Sequence, residues 1–239
     1  GEKTIVFSGD IGQEEPLLLY PPKRMRNADL VVLESTYGDR LHFNENPKTI
    51  LRDTIAETYQ NGGILFIPTF AVERAQEILY LLSLLIEENE IPDIPIYLDS
   101  PMAVKATQVF YDYPDWHTLN NEAVQHIQKN VNLVSDYKES MRLVEDKESK
   151  IVLAGSGMIT GGRILHYLER HIGNSAHTIL LAGFQAVGTR GHSLANGAQE
   201  IKFFGDWHAV KANIVQMHSL SAHGDQNDLL NWLREFKIP

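Results

Sequence analysis

Short runs of apolar residues at 30–33, 64–67, 94–98, 151–154 and 178–181 punctuate the 239-residue chain. Each is apolar at nearly every position, the pattern of a strand covered on both faces. The segments between most of them carry helical periodicity. Asn46-Pro47 opens one helix, with proline in its first turn, and Asn61-Gly62-Gly63 stops it. Val72, Ala75, Ile78, Leu79, Leu82, Leu85 and Ile86 recur at helical spacing and predict a second helix with one core-facing stripe. Further helices are predicted over 102–111, 120–130 and 161–171.

This alternation of strand and helix predicts an α/β fold, a mainly parallel sheet with helices on both faces. One section breaks the rhythm. Residues 200–204, the turn Gly205-Asp206-Trp207 and residues 208–216 predict a β-hairpin near the C-terminus. A strand-like run at 4–7 follows Gly1 almost at once, and a helix over 225–236 precedes Lys237-Ile238-Pro239. An α/β unit normally passes from such a helix into another strand, so further sequence is expected on both sides.

Charge narrows the partners: 21 Lys and Arg against 31 Asp and Glu leave a net charge of −10. That disfavours a broad basic surface for nucleic acid, although a local cleft needs only local geometry. The absence of cysteine excludes disulfides, thiolate metal sites and cysteine nucleophiles, and fits a reducing, cytoplasmic setting. The apolar stretch 78–86 falls far short of the ~20 residues that span a bilayer, so no membrane partner is expected.

Four polar clusters follow strands, where open α/β sheets place their sites. Ser8-Gly9-Asp10-Ile11-Gly12 is either a tight turn capped by aspartate or a place for a ligand or metal beside the backbone. Glu34, after the run 30–33, is a structural ion-pair partner or a functional acid. The glycine-rich loop 154–163 aims backbone N–H groups at an anion or is merely a tight turn, with Arg163 available for a phosphate. It matches neither the dinucleotide nor the P-loop pattern. His223, just before a plausible N-cap at Asp225, is an inert loop histidine or an acid–base group.

Taken jointly, in order and spacing, these segments resemble the β-CASP branch of the metallo-β-lactamase superfamily. Ser8-Gly9-Asp10 is similar to that family's fourth metallo-β-lactamase motif, Glu34 in Glu34-Ser35-Thr36-Tyr37-Gly38 to motif A, and His223 in Ser221-Ala222-His223 to motif B. The run 70–77, the Gly157-Met158 loop, Gly183-Phe184-Gln185 and Gly188-Thr189 resemble further landmarks. The family's HxHxDH motif, its following metal-binding histidine and motif C do not occur in these residues, and motif C helps to separate RNA-directed from DNA-directed members.

The resemblance implies a Rossmann-like β-CASP domain over 39–221, inserted in a partial metallo-β-lactamase αββα domain represented by 1–38 and 222–239. It implies a ribonuclease in which two zinc ions hold a hydroxide that attacks a phosphodiester in line. Asp10 would bridge the metals, and His223, oriented by Glu34, would stabilise the phosphoryl oxygens or protonate the leaving oxygen. The inserted domain would admit only single-stranded nucleic acid, with RNA as the expected partner and Arg74, Ser156, Arg163 and Thr189 as phosphate contacts. Products would carry a 5′-phosphate and a 3′-hydroxyl, and a homodimer is possible. This chain alone is expected to bind no zinc and to be inactive, since Asp10 by itself cannot hold zinc tightly. Two other readings stand beside it: a non-catalytic module that binds nucleic acid or protein, and a Rossmann-like small-molecule enzyme using the Ser156 loop for a nucleotide phosphate.

Overall fold

The apolar runs become the strands of one parallel sheet. The computed structural model describes residues 1–236. In chain order its first half contains β1 (Ile5–Phe7), β2 (Leu30–Val32), α1 (Pro47–Gln60), β3 (Leu65–Pro68), α2 (Arg74–Glu87), β4 (Ile96–Asp99), α3 (Pro101–Asp112) and α4 (Asn121–Asn130). There follow β5 (Val131–Val134), α5 (Tyr137–Glu145), β6 (Ile151–Ala154), α6 (Ile164–His171), β7 (Thr178–Ala182), α7 (Arg190–Ala195), β8 (Glu200–Phe203), β9 (Asp206–Ala209), β10 (Asn213–Met217) and α8 (Gln226–Arg234).

Six strands pair in the order β10-β7-β3-β6-β4-β5, all parallel. Every residue of β3, β6 and β7 is buried, which is why these runs lack polar alternation. Successive residues still serve opposite faces. Leu65 and Ile67 pack with Leu51 and Ile55 of α1, Leu79 and Leu82 of α2 and Ala103 of α3. Ile64 and Phe66 pack on the other side with Val144 of α5, Ile164 and Leu168 of α6 and Leu194 of α7. Each fully buried Leu or Ile contributes roughly 1.5–3 kcal/mol, so this two-sided core dominates the stability.

β1 and β2 form a separate parallel pair, in register Ile5↔Leu30 through Phe7↔Val32. Their inner face meets α8: Ile11, Leu229 and Trp232 form a third apolar cluster with Val6, Val31 and Leu33. No helix among the described residues is long and apolar enough to cross a membrane.

Three expectations need correction. The hairpin is shorter than predicted: β8 pairs antiparallel with β9 through Phe203↔Asp206, and Phe204 and Gly205 both take positive φ in the two-residue turn. The chain then breaks because Lys211 and Ala212 both donate their N–H groups to the Ile172 carbonyl, and β10 joins the main sheet parallel to β7. The second helix begins at Arg74, not at Val72, which is 69% exposed. β5, α5 and α7 were not expected. Asp136 caps α5 by accepting the Glu139 N–H, and Thr189 caps α7 by accepting the His192 N–H.

Candidate active site

The parallel pairing of β1 with β2 carries the chain past both strand ends side by side. Ser8 N–H donates to Val32 O at 2.9 Å, and Glu34 N–H donates to Ser8 Oγ at 3.0 Å. Asp10 and Glu34 are thereby placed at one edge. The loop after β10 is brought against them by Gly224, whose N–H donates to Ile11 O at 2.6 Å. A Cβ at Gly224 would lie 2.7 Å from Asp228 Cβ and 2.9 Å from Gly12 O, so only glycine permits this approach.

Behind His223 the loop is fixed from several sides. Asp225 caps α8, accepting the N–H groups of Asn227 and Asp228 while Asp228 Oδ2 accepts the Asp225 N–H. Asp225 also accepts the His42 N–H at 3.1 Å, and His42 Nε2 donates to the His223 carbonyl at 2.9 Å. Burial pushes the Asp225 carboxyl up, but the backbone N–H groups outweigh it and hold the pKa below its ordinary value.

His223 Nδ1 lies 3.0 Å from Glu34 Oε2, and Glu34 Oε1 accepts the Ile11 N–H. A carboxylate accepts, so Nδ1 carries the proton and Nε2 is left as the working nitrogen. The ligand atoms of Asp10, Glu34 and His223 all lie within 4.8 Å of one another. Aspartate oxygen and histidine nitrogen are ordinary zinc donors. Both Glu34 oxygens and His223 Nδ1 are already engaged, so Asp10, whose side is open to solvent, fits a metal ligand and the other two fit an acid–base pair.

His223 opens onto a cleft of about 560 Å³ at the strand ends, walled by Tyr37, Phe70, Val72, Glu73 and Phe184. The Tyr37 ring lies edge-on to Phe184 at 6.4 Å and tilted to His223 at 6.3 Å. Arg74 backs the cleft. Its guanidinium donates to the Leu220 carbonyl and sits 3.1 Å from the Glu77 carboxylate, both side chains being buried. Burial lowers the Arg74 pKa and raises that of Glu77, and their mutual attraction opposes both shifts.

Comparison with known proteins identifies the family. The Beta-Casp domain family matches residues 75–194, 120 of the 239 residues. The chain belongs to the β-CASP family. A second family, the Zn-dependent metallo-hydrolase RNA specificity domain, matches residues 207–239. The chain is 34% identical over 242 residues to an RNase J-like protein of Methanocaldococcus jannaschii, covering 99% of this chain and 56% of that protein. It is 36% identical over 243 residues to ribonuclease TTHA0252 of Thermus thermophilus, covering 97% and 55%. It is 29% identical over 255 residues to the transcription termination factor FttA of Methanosarcina mazei, covering 99% and 40%. The chain thus spans about half the length, or less, of these curated relatives.

In this β-CASP chain the four expected phosphate contacts sit differently from Asp10, Glu34 and His223. Arg74 lines the cleft with its guanidinium turned to Leu220 and Glu77. Arg163 donates to Asp99, to Val134 O and to Ser135 O, and Asp99 also accepts from Ser140 Oγ and Tyr167 OH at 2.5 and 2.6 Å. Ser156 Oγ accepts the N–H groups of Thr160 and Gly161, which closes the glycine-rich loop on itself. Thr189 Oγ1 caps α7 and donates to Ala186 O at 2.6 Å. Ser156 and Arg163 line a neighbouring depression that shares Phe70 and Met102 with the cleft, and Thr189 lines neither.

Several residues around the β-CASP cleft were named in the sequence only as parts of longer segments, and Asp99 was not named at all. Tyr37, Phe184 and Glu73 share its wall with His223, and Asp99, outside that lining, anchors Arg163. Tyr37 lies inside the motif A segment, so its neighbourhood was available; Asp99 carried the signal of an acid ending an apolar run.

Proposed function

We propose that this chain is part of a zinc-dependent ribonuclease that hydrolyses phosphodiester bonds of single-stranded RNA, with two zinc ions as its cofactor. The observation that carries the reading is the Glu34–His223 pair, with Asp10 within 4.8 Å, at the mouth of a ring-walled cleft. The ribonuclease names of two relatives support it. Zinc at Asp10 would polarise the phosphoryl group and make a bound water acidic. The chain's own side chains do the rest. Glu34 holds the imidazole through Nδ1–H, so Nε2 can take up a proton and deliver it to the leaving oxygen. Tyr37, Phe70 and Phe184 offer faces on which unpaired bases stack, which a duplex cannot use. In this reading residues 39–221 form the inserted unit, between 1–38 and 222–239.

The test is metal content and single-stranded RNA cleavage by the longest natural chain that carries this sequence, before and after chelation. Two zinc ions per chain, with cutting lost on chelation and restored by zinc, are expected. The 239-residue chain alone is expected to hold no stoichiometric zinc, because the trio leaves at most the Asp10 carboxylate and His223 Nε2 free, fewer ligands than a tightly held zinc takes. A metal-free long chain that binds RNA and leaves it intact would replace the enzyme by a binding module.

A further inference from the structure

Glu73 occupies a backbone conformation that a side chain disfavours. Its φ is 65° and ψ −64°, and the Arg74 N–H donates to Val72 O at 2.8 Å. Residues 72–74 therefore close a γ-turn of the positive-φ kind, the rare and strained form. Glycine would take this shape freely, yet the chain carries glutamate.

Nothing in the fold uses that side chain. Glu73 precedes α2 without capping it, and its carboxylate makes no hydrogen bond or ion pair among the described residues, the neighbouring Arg74 being paired with Glu77. It is half-buried in the wall shared by Tyr37, Phe184 and His223. Burial raises its pKa, while Arg74 and His223 pull it back. A strained turn that presents an unpartnered carboxylate to a cleft is the pattern of a residue kept for its ligand.

The ligand is bounded by charge and by the surrounding surface. A carboxylate repels phosphates, so in a strand of RNA it meets a hydrogen-bond donor, either a ribose hydroxyl or a base amino group. Phe70, Val72, Met102 and Phe184 around it are apolar and exposed, suited to the faces of bases rather than their edges. That leaves the sugar edge for the polar contact. We infer that Glu73 is a specificity-determining residue that accepts a hydrogen bond from the 2′-hydroxyl of the ribose seated beside His223, so that the cleft favours RNA over DNA. The inference rests on the ribonuclease reading above.

The test compares wild type, Glu73→Gly and Glu73→Gln in the longest natural zinc-loaded chain. The substrates are an RNA, the DNA of the same sequence, and RNAs carrying one 2′-deoxynucleotide at successive positions. Glu73→Gly should lower the RNA-to-DNA ratio of kcat/KM about tenfold to a hundredfold, the value of a hydrogen bond to a charged group. The loss should fall on KM for RNA. Glu73→Gln, whose amide oxygen still accepts, should keep part of the ratio. One deoxy position should reproduce the loss in wild type and add nothing in Glu73→Gly. The glycine variant should melt no lower than wild type, because the turn is relieved of strain. An unchanged ratio in Glu73→Gly, or equal losses on RNA and DNA, overturns the inference. A wild-type chain that cuts no RNA overturns the ribonuclease reading instead, so the two failures are distinct.

Discussion

Glu34 Oε2 stands 3.0 Å from His223 Nδ1 across 189 residues of sequence. The other oxygen accepts the Ile11 N–H, so the carboxylate is oriented from one side by the backbone and orients the imidazole on the other. Position and tautomer of the histidine are thus set by a residue that need not touch a substrate.

Replacing Glu34 by glutamine keeps the shape and changes the polarity of that contact. An amide N–H facing Nδ1 needs that nitrogen unprotonated, so the ring can no longer carry protons on both nitrogens and deliver one from Nε2. In the longest natural chain, Glu34→Gln should lower kcat by about 10²–10⁴, the usual worth of a positioned acid–base group, with KM and melting temperature little changed. Steady-state cleavage of single-stranded RNA checks it, and an unaltered kcat would refute the assigned pairing.

Arg74 and Glu77 make the opposite kind of pair, buried and structural. Arg74→Met would strand the Glu77 carboxylate and leave the Leu220 carbonyl without its donor. Urea unfolding should show a loss of about 3–5 kcal/mol, with most of it recovered in Arg74→Met/Glu77→Leu. A loss below about 1 kcal/mol, the scale of an exposed pair, would contradict the burial argument.

His177 links stability to pH. Its Nδ1 accepts the Ile64 N–H at 3.0 Å, a bond only the neutral ring can make, and burial lowers its pKa to about 4. The unfolded chain takes up that proton near pH 6.5, so it holds more protons than the folded chain between the two values. The contribution is complete above about pH 6.5 and is lost as pH falls towards about 4. His171, lowered by burial as well, acts in the same direction. Urea midpoints at pH 7.5 and pH 5 should separate more in wild type than in His177→Gln, and equal separations would refute the assignment.

Much of this was legible in the residues, for identifiable reasons. The strands at 151–154 and 178–182 could be read because burial on both faces leaves no polar position to confuse the pattern. Asp10, Glu34 and His223 could be picked out because each follows a strand. The end of β9 could not: Val210 and Ala212 continue the apolar alternation, and the break comes from a carbonyl on Ile172, far away in sequence. Arg163 suits a phosphate or a carboxylate equally well, and the Asp99 that engages it is 64 residues distant. Residues 70–77 resembled a family landmark, but nothing in Val72-Glu73-Arg74 announced the positive φ of Glu73.

The separation of Glu34 from His223 also sets an order of events during synthesis. The ribosome releases Asp10 and Glu34 first, and their histidine emerges only after all six strands of the main sheet have been made. Bringing the two ends together before that would cost the loop entropy of most of the chain with no sheet to offset it. A nascent or stalled chain ending between residues 34 and 222 therefore carries both carboxylates without the His223 imidazole, and completion of the pair reports that the polypeptide between them has been translated.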